Sequence, residues 1–191
     1  NGIVFHDSLS KDFVKKYEAP TIKFIYVDSS KFTHSLNDQR FLIFYDYINK
    51  NKEINNIFLK DGNDITVRKN PFEYIDNKNI YIGSEENTIE DKLDWFNKEC
   101  VKDILIQKLD KIKDKTILNA GIVGGKREII LNFLKRLNNV FNLLEDKDCN
   151  INMIVMNIVG HNTKNKKYGG KLNSRFKFYE NFREDVYFIH K

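Results

Sequence analysis

The chain has 191 residues, 41% of them hydrophobic and 31% charged, and a formal net charge of +5. That length can bury a sizeable core within one domain, so residues 1–191 are read as one. No apolar run reaches the roughly 18 residues a membrane span needs, which excludes a spanning helix. The start, NGIVFHDSLS, lacks the basic region and apolar stretch of a secretion signal, so the cytoplasm is the expected compartment.

Positive charge suits a phosphate-bearing partner. The lysines are spread along the whole chain, however, so a dedicated nucleic-acid surface is not expected. Cys100 and Cys149 show no CxxC or Cys/His ligand spacing and read as free thiols.

In chain order, GIVFH (2–6) reads as a strand, SKDFVKKYE (10–18) has helical spacing, and IKFIYVD (22–28) is a second strand. DQRFLIFYDYINK (38–50) is helical and INNIFLKD (54–61) is a third strand. The first strand begins without a leader or an initiating Met, so a preceding native strand is also expected. This βαβαβ rhythm predicts a mostly parallel sheet with helices on its faces and ligands at the carboxyl ends of its strands.

Further on, NPF (70–72) is a turn, IYIGSE (80–85) a strand and DKLDWFNKEC (91–100) a helix. TILNAGIVGG (116–125) reads as a strand entering a glycine-rich turn. KREIILNFLKRLNNVFNLL (126–144) carries the apolar stripe of an amphipathic helix. INMIVMNIVGH (151–161) is apolar and open between strand and helix, and REDVYFIHK (183–191) ends in a strand.

Four groups of residues carry candidate chemistry. FLKDGNDITV places Asp61, Asn63 and Asp64 at the end of an apolar strand, either as a tight turn or as hard oxygen ligands for Mg²⁺ or Mn²⁺. LNAGIVGGK sets glycines ahead of a helix that could offer free N–H groups to an anion. It is not a Walker A loop, since Ala120 and Arg127 stand at positions that loop reserves for Gly and for Ser or Thr. His190 closes an apolar strand and would suit Mn²⁺ if carboxylates met it, while Arg40, near a helix start, could pair with phosphates. His6, Asp7 and His161 have no local support as ligands.

Taken together and in this order, Arg40 in NDQRF, Asp61 to Asp64 in FLKDGNDITV, Asn119 to Gly121 in LNAGIVGG and His190 in VYFIHK resemble the GT-A glycosyltransferases. The similarity is greatest to glycogenin-like members and to bacterial and viral nucleotide-diphospho-sugar transferases, and covers the chain from about residue 22 onward.

The resemblance implies a single Rossmann-like α/β domain that moves a sugar from a nucleoside-diphosphate sugar to an acceptor hydroxyl on a glycan, protein or lipid. It implies Mn²⁺ (or Mg²⁺) held by Asp61, Asp64 and His190, and Asn63 as a further ligand or ribose contact. Arg40 is implied to face the nucleotide phosphates, and Asn119, Ala120 and Gly121 the donor sugar. Asp64 and Asn152 are implied to take part in catalysis, Asn152 standing where the glycogenin-like pattern has a carboxylate.

The motif here is D-G-N-D rather than D-x-D, and the family's first nucleotide-binding strand is not visible. A sugar-nucleotide nucleotidyltransferase and a non-catalytic carbohydrate- or nucleic-acid-binding domain are the alternatives. Acceptor contacts are expected from 163–180, where Tyr168, Phe176 and Tyr179 could stack on a sugar and Arg175 could meet a charged group.

Overall fold

The computed structural model describes residues 1–96, 99–143, 146, 148–175 and 183–190. Strand β1 (Gly2–His6), helix α1 (Lys11–Tyr17) and strand β2 (Ile22–Tyr26) open the chain. β1 and β2 pair in parallel, from Gly2 opposite Ile22 to His6 opposite Tyr26. Ser10 caps α1 by accepting the Phe13 N–H at 3.2 Å.

Helix α2 (Leu36–Lys50) starts where Ser35 Oγ accepts the Asp38 N–H at 3.3 Å. It buries Phe41 and Ile48, while Phe44 and Tyr47 meet Phe5 of β1 at ring distances of 5.7 and 5.3 Å. The alternation of strand and helix expected for this half is present, with boundaries shifted by a few residues.

Then follow β3 (Asn56–Lys60), β4 (Ile65–Val67), β5 (Ile80–Thr88), α3 (Leu93–Phe96), α4 (Asp103–Asp110) and β6 (Thr116–Lys126). The remaining elements are α5 (Arg127–Phe141), α6 (Asn152–His161), β7 (Lys166–Tyr168), β8 (Asn173–Arg175) and β9 (Phe188–His190). The fold is mixed α/β, but the expected mostly parallel sheet is not what forms. In the largest sheet, ordered β3-β6-β5-β7, β6 runs antiparallel to both of its neighbours and only β7 joins in parallel. A smaller sheet, β4-β9-β8, stands beside the acidic turn.

The glycines of LNAGIVGGK explain much of the difference. Instead of forming a turn, they extend β6 to Lys126, giving it a partner on each edge. A Cβ on Gly124 would lie 2.2 Å from the Phe58 ring, so only glycine lets that ring lie across the strand. α5 then starts directly, and the Arg127 N–H is taken by Asn55 O at 2.9 Å. The glycine-rich turn that could have served an anion is therefore sheet, with Gly124 and Gly125 paired to β3.

The core lies between this sheet and α2, α5 and α6. α5 buries Ile130, Phe133, Leu134, Leu137 and Phe141 along the expected stripe. The ambiguous apolar segment is α6, buried on nearly every side, which is why its sequence carries no amphipathic period. Its Asn157 clamps the edge of β6, with Oδ1 accepting Leu118 N–H at 2.8 Å and Nδ2 donating to Leu118 O at 3.0 Å.

Cys100 and Cys149 are not free thiols. They form a disulfide with Cα atoms 5.8 Å apart, across a sequence separation of 49 residues that hides the pairing from local spacing. Among the described residues no helix is long and apolar enough to cross a membrane.

Candidate functional site

The ladder between β5 and β6 breaks twice, and the polar groups gather at the breaks. Ile82 pairs with Val123, but Gly83 pairs with Asn119 instead of continuing to Ile122. Ala120, Gly121 and Ile122 thus lie between the two pairs without a partner on β5, a distortion that re-aims side chains and is common beside functional sites. Asn119 braces the bulge, its Oδ1 accepting the Gly121 N–H at 2.6 Å. A second break, between Ser84 and Thr88, frees Glu85 from the ladder, and Asn119 Nδ2 donates to its Oε1. Asn173 holds the neighbouring Ser84 by both backbone groups, at 3.0 and 2.9 Å.

The acidic turn of residues 61–64 joins β3 to β4 and docks on this bulge. Asp61 N–H donates to Gly121 O at 3.0 Å, and the Asp61 carboxylate accepts from Arg40 Nη1. Arg40 Nη2 reaches Ala120 O at 3.3 Å. Gly121 leaves room for both: a Cβ would lie 2.8 Å from Asn119 Oδ1 and 3.0 Å from Asp61 Oδ2, so a larger residue would displace these side chains. Lys60 curls over the turn, donating to the carbonyls of Asp61 and Gly62 at 3.0 Å each and of Ile65 at 3.4 Å.

Burial lowers the pKa of both cations, against the nearby Asp61 charge that raises it; for Arg40, Asp38 adds to that opposing pull. Arg40 Nε is buried and has no hydrogen-bond partner among the described residues, an unusual state for a guanidinium nitrogen. Behind Arg40, Asp38 is buried at the foot of α2, and burial raises its pKa. Its Oδ2 accepts the Ile151 N–H at 3.2 Å, so one helix supplies the cap of another, α6.

The structure therefore brings together five of the residues singled out from sequence: Arg40, Asp61, Asn119, Ala120 and Gly121. Asn63 and Asp64 are exposed on the turn. His190 is buried on β9 directly opposite Ile65, next in sequence to Asp64. Asn152 opens α6, one residue before Met153, whose sulfur accepts the Ala120 N–H at 3.5 Å.

In the acceptor segment, Tyr168 is exposed on β7, the backbone of Arg175 pairs with that of His190, and Phe176 and Tyr179 lie outside the described residues. His6 packs on Phe24 and Tyr26, and His161 Nε2 bonds Thr116 O at 2.9 Å, so both serve structure. Asp7 is held below the usual carboxylate range by the Ser29 and Ser8 hydroxyls.

Sequence reasoning missed Glu85, Lys60 and Asp38. Glu85 closes the apolar run IYIGSE as Asp61 closes NIFLKD, a signal that could have marked it. Among the described residues no group of three His, Cys, Asp or Glu side chains is placed to hold a metal ion. Of the expected metal ligands, Asp61 is engaged by Arg40, Asp64 is exposed on the turn and His190 is buried on β9, whereas a hard cation that arrives with phosphate oxygens needs only one or two carboxylates.

Comparison with the models of known protein families and with characterised proteins finds no match for this chain.

Proposed function

We propose that the chain binds a nucleoside-diphosphate sugar at the broken ladder and transfers the sugar to an acceptor hydroxyl, in the manner of the GT-A glycosyltransferases. The observation that carries this reading is the convergence of Arg40, Asp61 and the Ala120 carbonyl where β6 leaves its partner. A guanidinium whose carboxylate partner fixes its plane is prepared to grip phosphate oxygens in a fork. The unpaired Arg40 Nε is a donor that a ligand oxygen would satisfy.

In the transfer, the bond between the anomeric carbon and the diphosphate oxygen breaks, and its electron pair leaves with the diphosphate. The acceptor oxygen bonds to the same carbon, and its proton passes to a carboxylate. We assign that carboxylate to Glu85, which is buried and oriented by Asn119. The Asn119 and Glu85 pair also offers the donor and acceptor atoms that sugar hydroxyls require.

Arg40 and Lys60 oppose the negative charge that grows on the leaving group, in a partly dry setting where such charges act strongly. A Mn²⁺ or Mg²⁺ ion carried in with the donor would neutralise the same charge, with Asp61 and Asp64 the residues to hold it and His190 on the strand alongside. The disulfide suits an oxidising compartment.

Thermal denaturation with UDP, GDP, CDP and dTDP, each with and without Mn²⁺, tests the reading. A native-state ligand at a hundredfold excess over its Kd stabilises by about 2.7 kcal/mol, a readily measured rise. Metal-dependent stabilisation by one nucleotide is expected. No rise with any of the four would overturn the assignment.

A further inference from the structure

We propose that the Cys100–Cys149 bond is a redox latch: the broken ladder keeps its binding shape only while the bond is made. The latch acts through the start of α6, which reaches from the disulfide to the residues around Arg40.

Three ties hold that start from outside. Cys149 is bonded to Cys100. The Ile151 N–H donates to Asp38 Oδ2 at 3.2 Å, and Asp38 belongs to the same turn of α2 as Arg40. Met153 Sδ accepts the Ala120 N–H at 3.5 Å, where β6 has left β5. Between positions 149 and 153 the chain therefore meets the disulfide, the helix that carries Arg40 and the unpaired stretch of β6.

The helix does little to secure its own start. Its N-cap is Ile151, which makes no side-chain cap. The first N–H groups of a helix have no partner within it, and such an end opens unless outside groups meet them. Here one goes to Asp38, and that of Asn152 goes to Asn150 Oδ1 at 3.2 Å. Asn150 follows Cys149 directly, so the disulfide also fixes this acceptor. The far side of the bond is anchored in turn. Val101 is buried, and Lys102, just before α4, donates through Nζ to Leu143 O beyond the end of α5.

Cys149 is 1% exposed whereas Cys100 lies on the surface, so a thiol reagent meets the bond from the Cys100 side. A dithiol reductant supplies the two electrons. One of its thiolates attacks the Cys100 sulfur, and Cys149 leaves as a thiolate and takes up a proton. The second thiolate then attacks the reductant's own sulfur in the mixed disulfide, Cys100 leaves and is protonated, and the reductant departs as a disulfide. The first turn of α6 then parts from Asp38 and from Ala120. Among reduced thiols the site is slack, and in an oxidising compartment it is set. That the set site takes a nucleoside diphosphate rests on the function proposed above, whereas the release of α6 does not.

The test is amide hydrogen exchange on the full chain before and after dithiothreitol, with thiol titration confirming that both cysteines are free. Leu134, buried in α5, follows global stability. Protection at Ala120 and Ile151 should fall at least about tenfold further than at Leu134, because the opening is local. Cys100→Ser, a change at an exposed position, should show the reduced pattern with or without reductant. The Kd of the nucleotide that stabilises the oxidised protein should rise about tenfold on reduction. Unchanged protection at Ala120 and Ile151 overturns the latch. So does an equal fall at all three amides, which makes the bond a staple of the whole fold, and so does an unchanged Kd. If the oxidised protein binds no nucleoside diphosphate while the amides respond as expected, the proposed function fails and the latch stands, so the two failures are distinguishable.

Discussion

Arg40 and Asp61 meet at the mouth of the sheet across 21 residues of sequence, the guanidinium donating to the carboxylate on one side and to the Ala120 carbonyl on the other. The pair joins the acidic turn to the bulge in β6 through α2. Both side chains are partly exposed, so the attraction between them is softened by water, and the pair's main consequence is position rather than stability.

Replacing Arg40 by Ala should therefore abolish nucleoside-diphosphate binding while lowering stability only modestly. Arg40→Lys keeps the charge but loses the fork, so it should bind weakly, not normally. Calorimetry with the nucleotide that stabilises the parent protein decides this. Equal affinity in all three proteins would remove Arg40 from the site.

Reduction of the Cys100–Cys149 bond should destabilise the fold. Closing a loop of this length withdraws chain entropy from the unfolded state worth up to about 4 kcal/mol, and the bond ties the segment before α4 to the buried start of α6. Denaturant melts with and without reductant measure the difference. Thiol titration of the unfolded, unreduced chain should find no free thiol, and two free thiols would show the bond is not made.

Asp38 should make stability depend on pH in the sense opposite to a salt-bridged carboxylate. Burial raises its folded pKa above the unfolded value of about 3.9, although the Ile151 N–H opposes the rise. The folded state then holds this proton more tightly, so the contribution is fully present below the unfolded pKa and is lost as pH rises through the folded one. Asp38→Asn keeps an acceptor for the α6 cap and removes the charge, so it should flatten that fall and be at least as stable at neutral pH. Asp38→Ala removes the cap and should cost about 1 kcal/mol. A parent pH profile that Asp38→Asn leaves unchanged would contradict this account.

Much of the first half was legible in the sequence because its signals are local. The apolar run of GIVFH and the helical spacing of residues 10–18 and 38–50 each reside in a few adjacent residues, and β1, α1 and α2 form close to where those residues predict. The stripe of α5 is local in the same sense. The two carboxylates of FLKDGNDITV stood out as too polar for a strand interior, and they do lie at its end.

Where chemistry depends on what a residue meets in space, the sequence was silent or misleading. Glycines at 124 and 125 read as a turn, but they continue β6 opposite Phe58 and Ile57, where the Phe58 ring fills the space a Cβ on Gly124 would need. The apolar run IYIGSE marks Glu85 as out of place, but its turn towards Asn119, 34 residues away, follows from a break in the ladder with β6.

Periodicity by itself placed β1, α1, β2, α2, β3 and α5 and marked the polar strand end at Asp61, because that signal acts over one or two turns of chain. Only the tertiary structure decided the antiparallel course of β6, the pairing of Cys100 with Cys149 and the cap that Asp38 lends to α6. Each of these is a contact between residues distant in sequence, whose energy comes from excluded water and matched partners.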